Sequence, residues 1–340
     1  MRIAVLMGGI SEEREVSLQS GVQVAQALRE AGHKVLSVDT SHGLLDPDQE
    51  AALLDSGVGP PPPPSRAEDL LRTGDMTSLI GRTGLDGVDV VFPALHGRGG
   101  EDGTIQTLLE LAGISFSGSD RVGCTLSMDK DLTKRLLREG DILTPRWITV
   151  KGREEGKARL PGIVETLGLP LIVKPPSGGS TLGLTLAHDR QEVERGMDLA
   201  LEYEERILFE TYVRGREITV GILGREALPV GEIIPEHEIF DYECKYRPGM
   251  AREIFPADLS PEAASLAQKA ALRVHDTLLL RDFSRVDFIL DGEGTPWCLE
   301  ANTLPGMTGN SLVPQAARAA GISFPEFCGR VAEMGRARES

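Results

Sequence analysis

Residues 285–302 constrain the fold of this chain more than any other stretch. Arg285-Val286-Asp287-Phe288-Ile289-Leu290 alternates in polarity, a turn Asp291-Gly292-Glu293-Gly294 follows, and Trp297-Cys298-Leu299-Glu300-Ala301-Asn302 alternates again. Successive side chains on a strand project to opposite faces, and alternating runs joined by a Gly-containing turn read as an antiparallel hairpin. Arg285 and Asp287 then share one face. Glu300 and Asn302 share a face of the next strand, while Val286, Phe288, Leu299 and Ala301 point the other way. Pairing sets two carboxylates, an amide oxygen and a guanidinium on one wall. Such a wall is either the solvated face of a half-buried sheet or, since hard oxygen donors leave room for water and phosphate, a Mg²⁺–nucleotide site.

The first third of the chain has a different rhythm. Ile3–Met7 is an apolar strand, Gly8-Gly9 a turn, and Ser11 a candidate cap for a helix with Glu12 and Glu13 in its first turn. Val16, Val24, Leu28 and Ala31 form its apolar stripe, and Gly32 stops it before a strand at Val35–Val38. Another strand, Val88–Phe92, leads into His96-Gly97-Arg98-Gly99-Gly100-Glu101-Asp102-Gly103 and a helix over 104–112. This alternation predicts a small open parallel sheet, whose ligands gather beyond the carboxyl ends of its strands. The Pro60–Pro64 run interrupts the rhythm and reads as a surface loop.

From residue 119 the texture becomes α+β. Ser127 is a candidate cap for a helix over 128–139. Strands follow near 146–150, 170–174, 182–186 and 206–212, with a helix near 190–204. The last part holds strands near 217–223 and 227–234, a helix opened by Ser260-Pro261-Glu262, the hairpin, and a helix from Ser311. Residues 235–256 show no period and read as a loop.

Lys+Arg number 36 against 52 Asp+Glu, a formal charge of −16, which argues against a surface built to hold nucleic acid through phosphate contacts. No apolar run reaches membrane-spanning length, and the opening Met1–Met7 is too short for a signal peptide. Cys124, Cys244, Cys298 and Cys328 lack metal-ligand spacing and read as reduced thiols of a cytoplasmic protein.

Local chemistry can be read at several points. Lys174 ends a strand beside Ser177-Gly178-Gly179-Ser180-Thr181-Leu182-Gly183, where backbone N–H groups and an ammonium suit phosphate; a plain Gly-rich turn is the alternative. Glu210 and Glu217 flank Tyr212-Val213-Arg214-Gly215 and are either surface charges or acceptors for an adenine amine and ribose hydroxyls. Glu13 either complements a helix N-terminus or binds an ammonium group. His96 and Lys245-Tyr246 carry the same ambiguity between loop residue and substrate contact.

Taken in order, Gly8-Gly9, Glu13-Arg14-Glu15-Val16-Ser17-Leu18, Leu95-His96-Gly97-Arg98-Gly99-Gly100-Glu101-Asp102-Gly103, Ser127-Met128-Asp129-Lys130, Ile172-Val173-Lys174-Pro175, Gly179-Ser180, Arg285-Val286-Asp287, Glu300-Ala301-Asn302, Pro305-Gly306-Met307-Thr308 and Ser311-Leu312-Val313-Pro314 resemble the D-alanine–D-alanine ligase family of the ATP-grasp superfamily over nearly the whole chain. The resemblance implies a three-domain ATP-grasp architecture: an N-terminal α/β substrate domain (1–118), a central α+β domain (119–213) and a C-terminal domain with metal and catalytic residues (214–340). It implies a ligase that joins two D-alanines through a D-alanyl phosphate for peptidoglycan, consuming ATP with two Mg²⁺ ions, or Mn²⁺ in their place.

The family pattern assigns Asp287, Glu300 and Asn302 to metal. Lys130, Lys174, Lys245, Ser180 and Asn302 go to the ATP phosphates, and Glu210, Tyr212, Val213 and Glu217 to adenosine. Glu13 and His96 match the first D-alanine site. Arg285 and Gly306 match the oxyanion site, and Ser311 and Leu312 the second carboxylate site. Ser180 and Tyr246 match a catalytic hydrogen-bonded set with Glu13, and the tyrosine favours a dipeptide over D-alanyl-D-lactate. A homodimer formed through the N-terminal domain is the family expectation. Ser177-Gly178, Thr181 and Leu304 depart from the usual pattern. The rival readings are another ATP-grasp carboxylate–amine ligase, a D-alanyl-D-lactate ligase, and a non-catalytic nucleotide-binding module.

Overall fold

A computed structural model describes residues 1–9, 11, 13–55, 85, 87–247 and 249–338, with backbone alone at Asp55 and Tyr246. Glu12 and the Pro60–Pro64 run lie outside the described residues.

The N-terminal sheet has the order β3-β2-β1-β4. β1 (Arg2–Met7), β2 (Lys34–Asp39) and β4 (Val90–Pro93) are parallel, and the short β3 (Gly43–Leu44) pairs antiparallel with β2. Ile3 to Met7 are all fully buried, as expected of a parallel strand covered on both faces. The helices of this region are α1 (Arg14–Glu30), α2 (Pro47–Asp55) and α3 (Thr104–Leu111). Ser11 does not cap α1, which begins at Arg14 with no side-chain cap. Its hydroxyl instead donates to the His96 carbonyl at 2.6 Å and accepts from the Glu13 N–H at 3.2 Å.

The helix expected over 128–139 begins at Lys130, and a further helix precedes it. They are α4 (Arg121–Met128) and α5 (Lys130–Glu139), capped by Asp120 and Asp129 rather than Ser127. Each aspartate accepts from two first-turn N–H groups while its own backbone stays extended, the geometry of a strong N-cap.

The central sheet, order β5-β8-β6-β7, is antiparallel. It comprises β5 (Trp147–Lys151), β6 (Leu171–Lys174), β7 (Thr185–Ala187) and β8 (Arg206–Thr211). Two helices, α6 (Gly152–Leu167) and α7 (Arg190–Leu201), back it. Sequence reading passed over α6, because its polar first half and internal Pro161 hide the buried stripe Gly156, Leu160, Ile163 and Leu167.

The C-terminal sheet runs β12-β11-β9-β13-β14, with β10 on β9. Its strands are β9 (Gly215–Leu223), β10 (Glu226–Ala227), β11 (Gly231–Pro235), β12 (Ala251–Ile254), β13 (Phe283–Asp291) and β14 (Pro296–Asn302). Residues 235–256 are not one loop: they contain α8 (Tyr242–Tyr246) and β12. After α9 (Pro261–Thr277) and the hairpin come α10 (Leu312–Ala319) and α11 (Phe324–Arg336). α11 packs back on α1 and β4, so Phe327, Cys328, Val331 and Ala332 join the N-terminal core. Leu137 of α5 packs in the core of the C-terminal sheet.

The hairpin pairs Arg285 with Asn302 and Asp287 with Glu300. The register then shifts, and Phe288 faces Cys298. This bulge sets Leu299 beside Glu300 in the wall of the interdomain groove, whereas strict alternation had turned Leu299 to the core. Cys298 and Ala301 are the core residues of β14.

Candidate active site

The central and C-terminal sheets face each other across a groove. Lys174, Glu210, Tyr212 and Val213 line it from one side, and Glu217, Arg285, Asp287, Ile289, Leu299 and Glu300 from the other. Lys130 and Lys245 also reach it. A second pocket opens toward the N-terminal sheet, lined by Glu13, His96, Glu101, Ser180, Asn302, Gly306, Ser311 and Leu312. Arg285, Glu300, Lys245, Gly179 and Leu312 line both, so the hairpin face is the partition between two sites.

Asp287 is the hub of that partition. Arg285 donates to it from Nε at 3.0 Å and Nη2 at 2.8 Å, the Thr219 hydroxyl at 2.7 Å, and Asn302 Nδ2 at 3.1 Å. Asn302 thereby uses its donor, leaving Oδ1 as its acceptor. Glu300 pairs with Lys130 at 3.1 Å. Burial pushes the Glu300 carboxyl up, but Lys130, Lys245, Lys174 and Arg285 together hold it well below the usual carboxylate range. Burial opposes the Arg285 charge, yet Asp287 and Glu300 raise its affinity for the proton. The resulting cluster of hard oxygen donors on adjacent strands fits a divalent cation of the Mg²⁺ type.

The phosphate-type cations are individually braced. Lys130 Nζ donates to the Gly178 carbonyl at 2.8 Å, and Lys174 Nζ lies 3.0 Å from Glu210 Oε1. Glu210, expected at the adenosine site, lines the groove beside Tyr212 and Val213, and its other oxygen lies 2.6 Å from Lys134. Both Glu210 and Lys134 are buried, at 2% and 0% exposure. Burial raises the Glu210 carboxyl, and the two lysines outweigh burial and keep it low. Sequence reading missed Lys134. The signal was present: Lys130 and Lys134 stand at i and i+4, on one face of α5. At Glu217, burial and Asp287 outweigh Lys245 and Arg285 and push the carboxyl up to about 7.

Over the second pocket, Ser180 donates a hydrogen bond to Glu13 Oε1. Ser180 and Thr181 hold φ of 51° and 62°, uncommon for non-glycine residues and typical of functional loops. Thr181 Oγ1 donates to the Phe240 carbonyl at 3.0 Å, tying this loop to the segment that carries Lys245. The Tyr246 side chain lies outside the described residues.

Burial pushes the Glu13 carboxyl up, with the Ser180 bond working against it. Glu101, in the glycine-rich motif, has no role legible in the sequence and is pushed up to about 8 by burial and by Glu13. It accepts from the Gly97 N–H at 2.8 Å. Gly97 has φ 64°, and a Cβ there would sit 2.8 Å from Glu13 Oε2, so only glycine allows this approach. His96 is buried beside the Ser20 hydroxyl at 3.3 Å, and burial lowers it to about 4, leaving a neutral imidazole. Ser311 is the N-cap residue of α10, its hydroxyl 2.8 Å from that of Thr308, at the kind of helix start that attracts carboxylates.

A groove clasped between two antiparallel sheets, lysines on one wall and carboxylates on the other, defines an ATP-grasp ligase. The family model described as D-ala D-ala ligase N-terminus matches residues 2–119, and that described as D-ala D-ala ligase C-terminus matches 136–333. The D-alanine–D-alanine ligase of Aquifex aeolicus is 41% identical over 96% of this chain and 98% of its own. That of Moorella thermoacetica is 37% identical over 98% and 99%. Among solved structures, the D-alanine–D-alanine ligase of Bacillus anthracis complexed with ATP is 30% identical, with TM-score 0.77 over 98% of this chain and 97% of its own. The VanG D-Ala:D-Ser ligase of Enterococcus faecalis is 30% identical, with TM-score 0.81 over 98% and 99%. The chain belongs to the D-alanine–D-alanine ligase family.

Proposed function

We propose that the protein condenses two D-alanine molecules to D-alanyl-D-alanine with release of ADP and phosphate, the dipeptide serving peptidoglycan assembly. The observation that carries the reading is the shared wall: Arg285, Glu300 and Lys245 line a nucleotide-type groove and a small polar pocket at once.

ATP lies in the groove with its adenosine toward Tyr212, Val213 and Glu217 and its phosphates toward Lys130, Lys174 and Lys245. Mg²⁺ held by Asp287, Glu300 and Asn302 offsets phosphate charge when bound. Glu13, with Ser180 fixing one oxygen, anchors the ammonium of the first D-alanine beside His96. That substrate's carboxylate oxygen attacks the γ-phosphorus, the bond to the β-phosphate oxygen breaks, and ADP departs. The lysines stabilise charge spread over the transferring group. The second D-alanine rests its carboxylate at the start of α10, at Ser311 and Leu312. Its amine attacks the acyl carbon, the oxyanion forms against Arg285 and the Gly306 N–H, and phosphate leaves as the nitrogen loses a proton. The Thr181–Phe240 tie closes the site and protects the acylphosphate from water.

We further propose that 1–118, 119–213 and 214–340 act as the three working units. The protein would operate in the cytoplasm as a homodimer, readable by light scattering. The central test is ADP release with D-alanine, D-serine, D-lactate or L-alanine as amino or hydroxy acid. D-Alanine-dependent release that stops with EDTA is expected. No D-alanine-dependent turnover with Mg-ATP present would overturn the assignment.

A further inference from the structure

A second donor cluster stands outside the two pockets. His237, Asp241 and Cys244 each offer one ligand atom, and those atoms lie within 4.8 Å of one another. His237 Nδ1 is 2.7 Å from Asp241 Oδ2, and Cys244 Sγ lies within 4.8 Å of both ligand atoms. The other oxygen, Oδ1, accepts from the Cys244 N–H at 2.9 Å and caps α8. One carboxylate thus caps a helix with one oxygen while an imidazole and a thiol converge on the group.

We infer that His237, Asp241 and Cys244 form a site for a divalent cation of the zinc class, with water as the fourth ligand. Nitrogen, oxygen and sulfur together suit a borderline-soft ion and exclude Mg²⁺. Zinc bonds of about 2.0–2.3 Å place tetrahedral ligand atoms somewhat under 4 Å apart, so side-chain rotation closes the present spacing without moving the cap. Binding replaces the thiol proton, which goes to solvent; the His237 Nδ1 proton moves to Nε2, or goes to solvent where the imidazole starts as the cation. The three ligands fall within eight residues, His-x₃-Asp-x₂-Cys. Exposure grades from open at His237 to buried at Cys244, which leaves an entry side. The other three cysteines are buried in the hydrophobic cores or their margins, with thiols pushed up by burial. Cys244, whose thiol burial also pushes up, is the cysteine that stands with a histidine and a carboxylate. The ion would fix residues 237–244, including the Phe240 carbonyl that Thr181 binds and the turn presenting Lys245. That consequence, unlike the site, rests on the proposed function.

Cobalt titration of the full chain, without Mg²⁺ or nucleotide, tests the site. The expected result is a thiolate-to-cobalt charge-transfer band saturating at one equivalent and displaced by Zn²⁺. The carboxylate wall of the active site cannot produce such a band. Cys244→Ala should abolish it, and His237→Gln should weaken Zn²⁺ binding by at least about tenfold, both variants keeping native circular dichroism. No band, a band surviving in Cys244→Ala, or unchanged Zn²⁺ affinity in His237→Gln would each overturn the site. Zinc slowing D-alanine-dependent ADP release in the parent but not in Cys244→Ala would support the effect on Lys245. A normal band with no such slowing would refute that effect alone.

Discussion

Glu210 sits between two buried lysines, and the two ways of breaking this triad should differ in cost. At 2.6 Å the Lys134–Glu210 attraction is about 6 kcal/mol for an effective dielectric near 20, most of it offset by desolvation. Lys134→Met leaves Glu210 balanced by Lys174 at 3.0 Å, and should cost about 3 kcal/mol, the low end for breaking a buried pair. Glu210→Gln leaves two buried ammonium groups with no carboxylate, and should cost about 5 kcal/mol or more on the same scale. The double variant removes one of those cations and should be more stable than Glu210→Gln alone. Trp147 reports locally, since Lys134 lies 5.6 Å from its ring centroid and its indole N–H donates to Asp131 at 2.7 Å. Urea unfolding followed by Trp147 fluorescence in a Trp297→Phe background reads the order. Lys134→Met should also draw Lys174 toward Glu210 and raise the KM for ATP about tenfold, roughly 1.4 kcal/mol. A Lys134→Met variant less stable than Glu210→Gln, or a double variant no better than Glu210→Gln, would refute the reasoning.

Other expectations follow from single groups. His275 is buried against the Ser284 hydroxyl at 2.8 Å and lowered by burial to about 4. The unfolded chain therefore takes up its proton first, and stability should fall as pH drops from about 6.5 to about 4, by up to about 1.4 kcal/mol per unit for this group. His275→Gln should reduce the slope of that limb in pH-dependent urea melts, the remainder coming from His96, which burial also lowers to about 4. Gly335→Ala puts a Cβ 2.6 Å from Ser117 Cα and should destabilise by about 1–3 kcal/mol. Gly162→Ala in α6, with nothing within 4 Å, should stabilise by about 0.5–1 kcal/mol; differential melting curves compare the two. Glu13→Gln removes the proposed ammonium anchor and should raise the KM for D-alanine about thirtyfold, taking about 2 kcal/mol for a charged hydrogen bond, with the KM for ATP little changed.

What the sequence made legible was whatever repeats at the period of its element. β1 and the hairpin were readable because five consecutive apolar residues and a strict alternation each admit few structures. α6 was not, since a proline and a polar first turn break the stripe that burial later reveals. The split between α4 and α5 turns on Asp129, whose cap geometry outweighs an unbroken helical composition. At the site, alternation correctly set Arg285, Asp287, Glu300 and Asn302 on one wall, but a single bulge moved Leu299 onto it. No local pattern encodes that bulge, because it depends on which residue of the partner strand each one meets. Glu210 shows the same limit in electrostatic form. An isolated glutamate at a strand end reads as an acceptor for a ligand. Its partners come from α5, 76 positions away at Lys134, and from β6 at Lys174, so its task of bracing cations exists only once three elements meet. Residues on the groove wall are thus easier to read than residues that hold them in place, because a strand's alternation restricts the first kind and only the assembled fold restricts the second.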